Sequence, residues 1–200
     1  MVPRRPAPRQ TASQPPASRR RLTARDWADA ALTAIGEGGL AAVAVEPLAA
    51  RLGTTKGSFY WHFANREALI EAALLRWEET GTEAVIAALA PEPDPEKRLR
   101  TLFLNATASA AEDSLEVSLL ATADHPRVAA VLHRVTERRV AYVSRLFEEL
   151  GFPPAAAARR ALLAYTSYLG HTHLTHAAPG ALPRDPEYLE SVLETLLRKA

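Results

Sequence analysis

The chain has 200 residues, and its 48% hydrophobic content is enough to fill a core of ordinary size, which excludes disorder of the whole chain. No apolar run approaches the roughly 18 residues a membrane span needs, and the absence of cysteine removes disulfides, thiol catalysis and cysteine-ligated metal sites. The net charge of +1 conceals an asymmetry: residues 1–25 carry seven arginines and no acid, while residues 67–200 carry fourteen bases and nineteen acids. That is the pattern of a polyanion-binding end on an acidic body.

Residues 1–21 contain Pro3, Pro6, Pro8, Pro15 and Pro16 among Arg, Ser and Gln. Prolines forbid a regular helix and little here can be buried, so the segment is expected to be a disordered basic arm. It lacks the apolar centre of a secretory signal and the amphipathicity of a transit peptide, so a cytoplasmic protein is expected. Arg4, Arg5, Arg9, Arg19, Arg20 and Arg21 could follow phosphates or enter a minor groove, or simply form a solvated tail.

Order begins at Thr23-Ala24-Arg25-Asp26, where a Thr with an acid three residues on is a variant capping box. Trp27, Ala30, Ala31, Ala34 and Ile35 then recur at helical spacing, and Gly36, Gly38 and Gly39 are expected to end the helix.

Residues 45–63 hold the most informative pattern. Leu48, Ala49 and Leu52 make one apolar face of a short helix, Gly53 follows four residues after Ala49, and Phe59 six after Gly53. This spacing suits a helix-turn-helix: a small residue where two helices cross, a glycine for the turn and an aromatic anchor. The second helix is expected from Thr54 or Thr55 to Tyr60, capped by the threonine hydroxyl. Small-residue hairpins also occur as plain structure in all-α proteins. The concentration of Lys56, Ser58, Tyr60, Trp61 and His62 on a short helix favours nucleic acid, since such groups bind phosphates and Lys or Ser can read base edges. Double-stranded DNA is the expected partner, with the second helix in the major groove.

Beyond Leu69 the chain reads as helix over about 66–89, 95–109, 114–123, 126–150, 154–178 and 186–198, separated by Pro-, Gly- and acid-rich turns. Strand alternation is missing, so the fold class is all-α. Leu162, Tyr165, Leu169 and His173 read as one stripe of the 154–178 helix, and Leu189, Val192, Leu193, Leu196 and Leu197 as a stripe of the last. Both could be core or a dimer seam. Trp77, Phe103, Tyr142, Tyr165, Tyr168 and His171 are large or polar groups on inward-facing positions, the candidates for an apolar or aromatic small-molecule pocket or for plain core.

Residues 23–69 resemble the tetracycline-repressor (TetR) family of bacterial transcription regulators. The resemblance rests on Ala30-Ala31, the Gly36–Gly39 stop, Leu48-Ala49-x-x-Leu52-Gly53 and the run Gly57-Ser58-Phe59-Tyr60-Trp61-His62-Phe63-Ala64-Asn65-Arg66-Glu67-Ala68-Leu69. It implies phosphate contacts by Tyr60, His62 and Arg66, with Thr55, Lys56 and Ser58 nearest the bases. Val45-Glu46-Pro47 departs from the family pattern, and an acid at Glu46 cannot pair with phosphate, so no DNA contact is assigned to it. The resemblance further implies a head over 22–68, then an effector-binding and dimerisation bundle over 69–200. It implies a homodimer through the last two helices, and a repressor released from its operator by a small effector.

Other chemistry is weaker. His173 and His176 are three apart, as metal ligands can be, but no carboxylate lies in 164–178 and no HExxH occurs, so no metal and no cofactor are expected. No phosphate loop, GxSxG elbow or paired-carboxylate motif is present, and the chain is not expected to be an enzyme. The alternatives are a constitutive DNA-binding regulator without ligand, an all-α enzyme assembled from dispersed side chains, or a metal-binding protein using the C-terminal histidines.

Overall fold

A computed structural model describes residues 21–183 and 187–199; the expected arm at 1–21, all but Arg21, lies outside the described residues. These residues form an all-α fold of ten α-helices. Helices α1 (Ala24–Gly38), α2 (Val45–Arg51) and α3 (Lys56–Tyr60) make an N-terminal head. Helix α4 (Arg66–Glu78) leads from it through a π-helical turn, Glu79–Glu83, into α5 (Ala84–Leu89). Helices α6 (Pro95–Glu112), α7 (Leu115–Ala121), α8 (Pro126–Glu149), α9 (Pro154–Ala177) and α10 (Glu187–Leu197) complete the body. Among the described residues no helix is long and apolar enough to cross a membrane.

Local chemistry sets most helix ends. Thr23 and Asp26 form the full capping box, with Thr23 N–H donating to Asp26 Oδ2 at 2.7 Å. Asp94 caps α6 by accepting from Glu96 and Lys97 N–H, and Pro95 opens the helix without wasting a donor. At the end of α8 the Phe152 and Gly151 N–H groups donate to Phe147 and Glu148 carbonyls, a Schellman motif in which Gly151 takes φ 87°. Phe147 and Phe152 then meet edge to face at 5.6 Å, clasping the helix end.

Several boundaries differ from expectation. Helix α1 runs on through Gly36 and Gly38, and Gly39 alone takes the left-handed φ of 68° that ends it. The expected 66–89 helix is interrupted by the π-turn, and α6 continues past 109 to Glu112, where Asp113 departs to extended backbone. On α9 the buried line is Ala157, Ala161, Ala164, Tyr165 and Thr172, whereas Leu162 is 53% exposed and His173 is also exposed. Small residues let α9 lie close against α8, which turns the leucines outward. On α10, Leu193 and Leu196 are buried within the chain, whereas Leu189, Val192 and Leu197 of the same stripe are only partly covered.

Two cores hold the molecule. The first joins Trp27, Ile35, Leu48 and Phe59 of the head and Leu69 and Ile70 of α4 to Leu115, Leu119, Val128, Val131 and Val135 of α7 and α8. The second gathers Leu99, Tyr142, Leu146, Phe147, Ala157, Ala161 and Leu196. The expected division between residues 68 and 69 therefore falls inside α4, in a core that head and body share.

Candidate functional site

The helix-turn-helix is built by α2, a tight turn and α3. Gly53 N–H donates to Ala50 O at 3.1 Å and Thr54 N–H to Ala49 O at 2.9 Å, a second Schellman motif with Gly53 at φ 64°. Ala49 is buried under the crossing, and Phe59 is fully buried, edge-on to Trp27 at 5.4 Å and stacked on Phe63 at 5.7 Å. These contacts hold one side of α3 and leave the other to solvent.

On that open side Tyr60 is 58% and Trp61 86% exposed, with Thr55 and Lys56 also exposed and Ser58 and His62 half-buried. Two large aromatic rings are thus left in water on one short helix and its C-cap, against the hydrophobic effect. Thr55 stands at the N-cap of α3, but its hydroxyl makes no cap hydrogen bond, contrary to expectation. Lys56 Nζ donates to Glu46 Oε1 at 2.9 Å, tying the two helices together. Arg66 turns inward: its Nε donates to Val43 O at 2.7 Å and its Nη2 to Leu40 O, while Nη1 pairs with Glu67. Arg66 thus fastens α4 to the segment before α2. Asn65 caps the same helix by accepting from Ala68 N–H at 2.9 Å.

A cavity of about 860 Å³ lies at the junction of head and body. Five of the six expected pocket residues, Trp77, Phe103, Tyr142, Tyr165 and Tyr168, line it. His171 does not: it is half-buried away from it, stacked on Tyr188 at 6.0 Å, and burial lowers its pKa. Leu32, Thr33, Gly36 and Glu37 of α1 complete one wall, so the head itself contributes to the cavity. Ser114 Oγ donates to Gly36 O at 2.7 Å and holds that wall against α7.

The polar feature of the cavity is a cluster of which the sequence reading named only Tyr168. Arg139 Nη1 donates to Glu116 Oε1 at 2.8 Å, and Tyr168 OH donates to Glu116 Oε2 at 2.6 Å. Arg139 also donates from Nε to Thr82 Oγ1 at 3.0 Å and from Nη2 to Gly81 O at 3.1 Å, with its guanidinium 5.2 Å from the Trp77 ring centre. Burial and the Glu116 carboxylate push the Tyr168 phenol well above its ordinary range. Burial opposes the Arg139 charge, but Glu116 and the neighbouring phenols outweigh it and keep the guanidinium's pKa raised. One signal was available: Arg139 stands between Val135 and Tyr142 at the spacing of the buried stripe of α8, where a charge must find a partner.

The π-turn is what brings Gly81 and Thr82 to Arg139. Arg127–Glu71 and Arg134–Glu78 pair across α8 and α4 at a constant sequence separation of 56, but Arg138–Glu83 at 55. The two helices run in the same direction, and the π-turn absorbs one extra residue on the α4 side. Among the described residues no group of three His, Asp or Glu could hold a metal; His176 Nε2 instead lies 2.6 Å from Ala110 O and links α9 to α6.

Residues 28–73 match the family described as bacterial regulatory proteins, tetR family. No curated protein matches the sequence. Solved structures do. A transcriptional regulator from Rhodococcus sp. Rha1 is 21% identical, with a TM-score of 0.69 over 88% of this chain and 94% of its own. NemR of E. coli in its reduced form is 18% identical, with a TM-score of 0.67 over 86% and 94%. AibR, solved with isovaleryl coenzyme A and operator DNA, is 18% identical, with a TM-score of 0.63 over 87% and 97%. Residues 28–73 thus match the tetR-family model, and the chain as a whole has the fold of solved transcriptional regulators, among them one from Mesorhizobium loti described as a putative TetR-family member.

Proposed function

We propose that this protein is a ligand-responsive DNA-binding regulator, a repressor that binds a near-palindromic operator as a homodimer through α9 and α10 and leaves it when a small apolar effector fills the cavity. The observation that carries the reading is the position of the cavity, walled by α1 of the head on one side and by α6, α8 and α9 of the body on the other. One bound molecule would touch both. An effector that binds a DNA-incompetent arrangement of the heads more tightly must weaken operator affinity reciprocally, and a coupling of about 1–3 kcal/mol corresponds to roughly 5- to 150-fold. Helix α4 and the π-turn supply the connection, because Arg139 grips Gly81 and Thr82 from inside the cavity wall while Arg66 fastens the other end to the head. The presence of both a small molecule and operator DNA on AibR supports the same division of labour.

DNA selected from random sequence by the purified protein would give the operator. On it, Tyr60→Phe and His62→Ala weaken binding across sequences because these side chains meet phosphates, while Lys56→Ala also relaxes preference at one base position. Unchanged affinity in all three variants would overturn this docking mode.

A further inference from the structure

We infer that the cavity selects an uncharged effector: an apolar body bearing one neutral head that both accepts and donates hydrogen bonds, seated on the Arg139–Glu116–Tyr168 cluster. The inference rests on the regulatory reading above and names the chemical class of its ligand.

The cluster is electrically balanced. Glu116 is 8% exposed and its single negative charge is met by the Arg139 guanidinium at 2.8 Å. Around it the walls are apolar, with Leu89, Leu99, Leu102, Phe103 and Val143 among them. A ligand carboxylate placed here would leave the desolvated cluster with a net charge of −1, and an ammonium with +1. Either charge would be buried without compensation, which is costly in such surroundings. A neutral group adds none.

Hydrogen-bonding capacity remains for such a group. A guanidinium has five N–H donors, and Arg139 commits one each to Thr82, Glu116 and Gly81. The Glu116 oxygens each take one donor, from Arg139 and Tyr168, and each retains a lone pair. A carboxamide matches both halves, its carbonyl accepting from Arg139 and its N–H donating to Glu116.

The rim adds a second bias. The charged exposed residues lining the cavity are Glu37, Glu112 and Asp113, and no base lines it except Arg139. Arg51 of α2 pairs with Glu37. Glu112 and Asp113 have no ion-pair partner among the described residues, so their field repels anions on the way in.

Three probes with one body test this: biphenyl-4-carboxamide, biphenyl-4-carboxylate and biphenyl-4-methylammonium, titrated calorimetrically into the full chain at pH 7 with thermal unfolding in parallel. The carboxamide is expected to bind about tenfold or more tighter than either ion and to raise the unfolding midpoint most. In Glu116→Gln the cluster becomes net positive and the order inverts in favour of the carboxylate. Should that variant fail to fold, Arg139→Met makes the cluster net negative and favours the ammonium. Tighter binding of either ion to the unaltered protein, or an order that neither variant changes, overturns the inference while leaving a ligand-responsive regulator standing. Binding of none of the three overturns it and removes the cavity from the regulatory reading, whereas a gel shift on the selected operator tests DNA binding independently.

Discussion

Glu46 and Lys56 form a salt bridge across the helix-turn-helix, Oε1 to Nζ at 2.9 Å, with both side chains more than half exposed. The hydrogen bond to Lys56 lowers the Glu46 pKa, and the same bond raises that of Lys56. In water such a pair contributes little to stability. Its consequence is for DNA binding: to reach a base or phosphate, Lys56 must leave a carboxylate that itself repels the polyanion. Glu46→Gln is therefore expected to raise operator affinity several-fold and to steepen the log affinity–log salt slope by up to about 0.9 per protomer. Gel shifts across a salt series measure both; weaker binding by Glu46→Gln would mean that the acid orients Lys56 productively.

Gly53→Ala tests the turn itself. A Cβ at Gly53 meets nothing within 4 Å, so the penalty comes only from holding a φ of 64°. Left-handed backbone costs an alanine about 1–2 kcal/mol, and Asn less. Urea unfolding should rank Gly53 above Asn and Asn above Ala, and operator binding should fall along with stability because the strained turn holds α3 in place less of the time.

The Arg139–Glu116 pair should behave as a buried unit. Arg139→Met leaves a carboxylate without its counterion and is expected to destabilise the fold by about 3 kcal/mol. Adding Glu116→Leu should recover much of that loss, since the double variant buries no charge. A double-mutant cycle in chemical unfolding reads the coupling directly. Near-additive losses would show that the two groups are solvated separately.

Leu162 and Leu163 stand side by side on α9, each 53% exposed. Apolar side chains left in water on a long helix at the proposed dimer seam are expected to be covered by a second copy. Leu162→Glu should shift the mass seen by light scattering from dimer to monomer at micromolar concentration. Operator affinity should fall with it, because one head then binds one half-site. The monomer's helical content should be unchanged by circular dichroism.

What the chain alone determined is local. Thr23 with Asp26, Asp94 before Pro95, Gly53 after Leu52 and Gly151 after Leu150 each set a helix end through atoms a few residues apart, and so they could be read in order along the sequence. The exposed Tyr60–Trp61 face was legible for the same reason: a five-residue helix anchored by Phe59 has only one side left to bury. The tertiary structure alone decided the partnerships. Arg138 and Arg139 are adjacent in sequence and look alike, yet one meets Glu83 at the surface and the other is drawn inside by Glu116, Thr82 and Gly81. His171 and Tyr168 share a helix, but only Tyr168 turns into the cavity. Arg66 donates to the carbonyls of Leu40 and Val43, from a stretch of chain well before its own helix. Desolvation makes the difference, because a buried charge or donor is tolerable only beside its partner, and those partners lie 23 to 58 residues away along the chain.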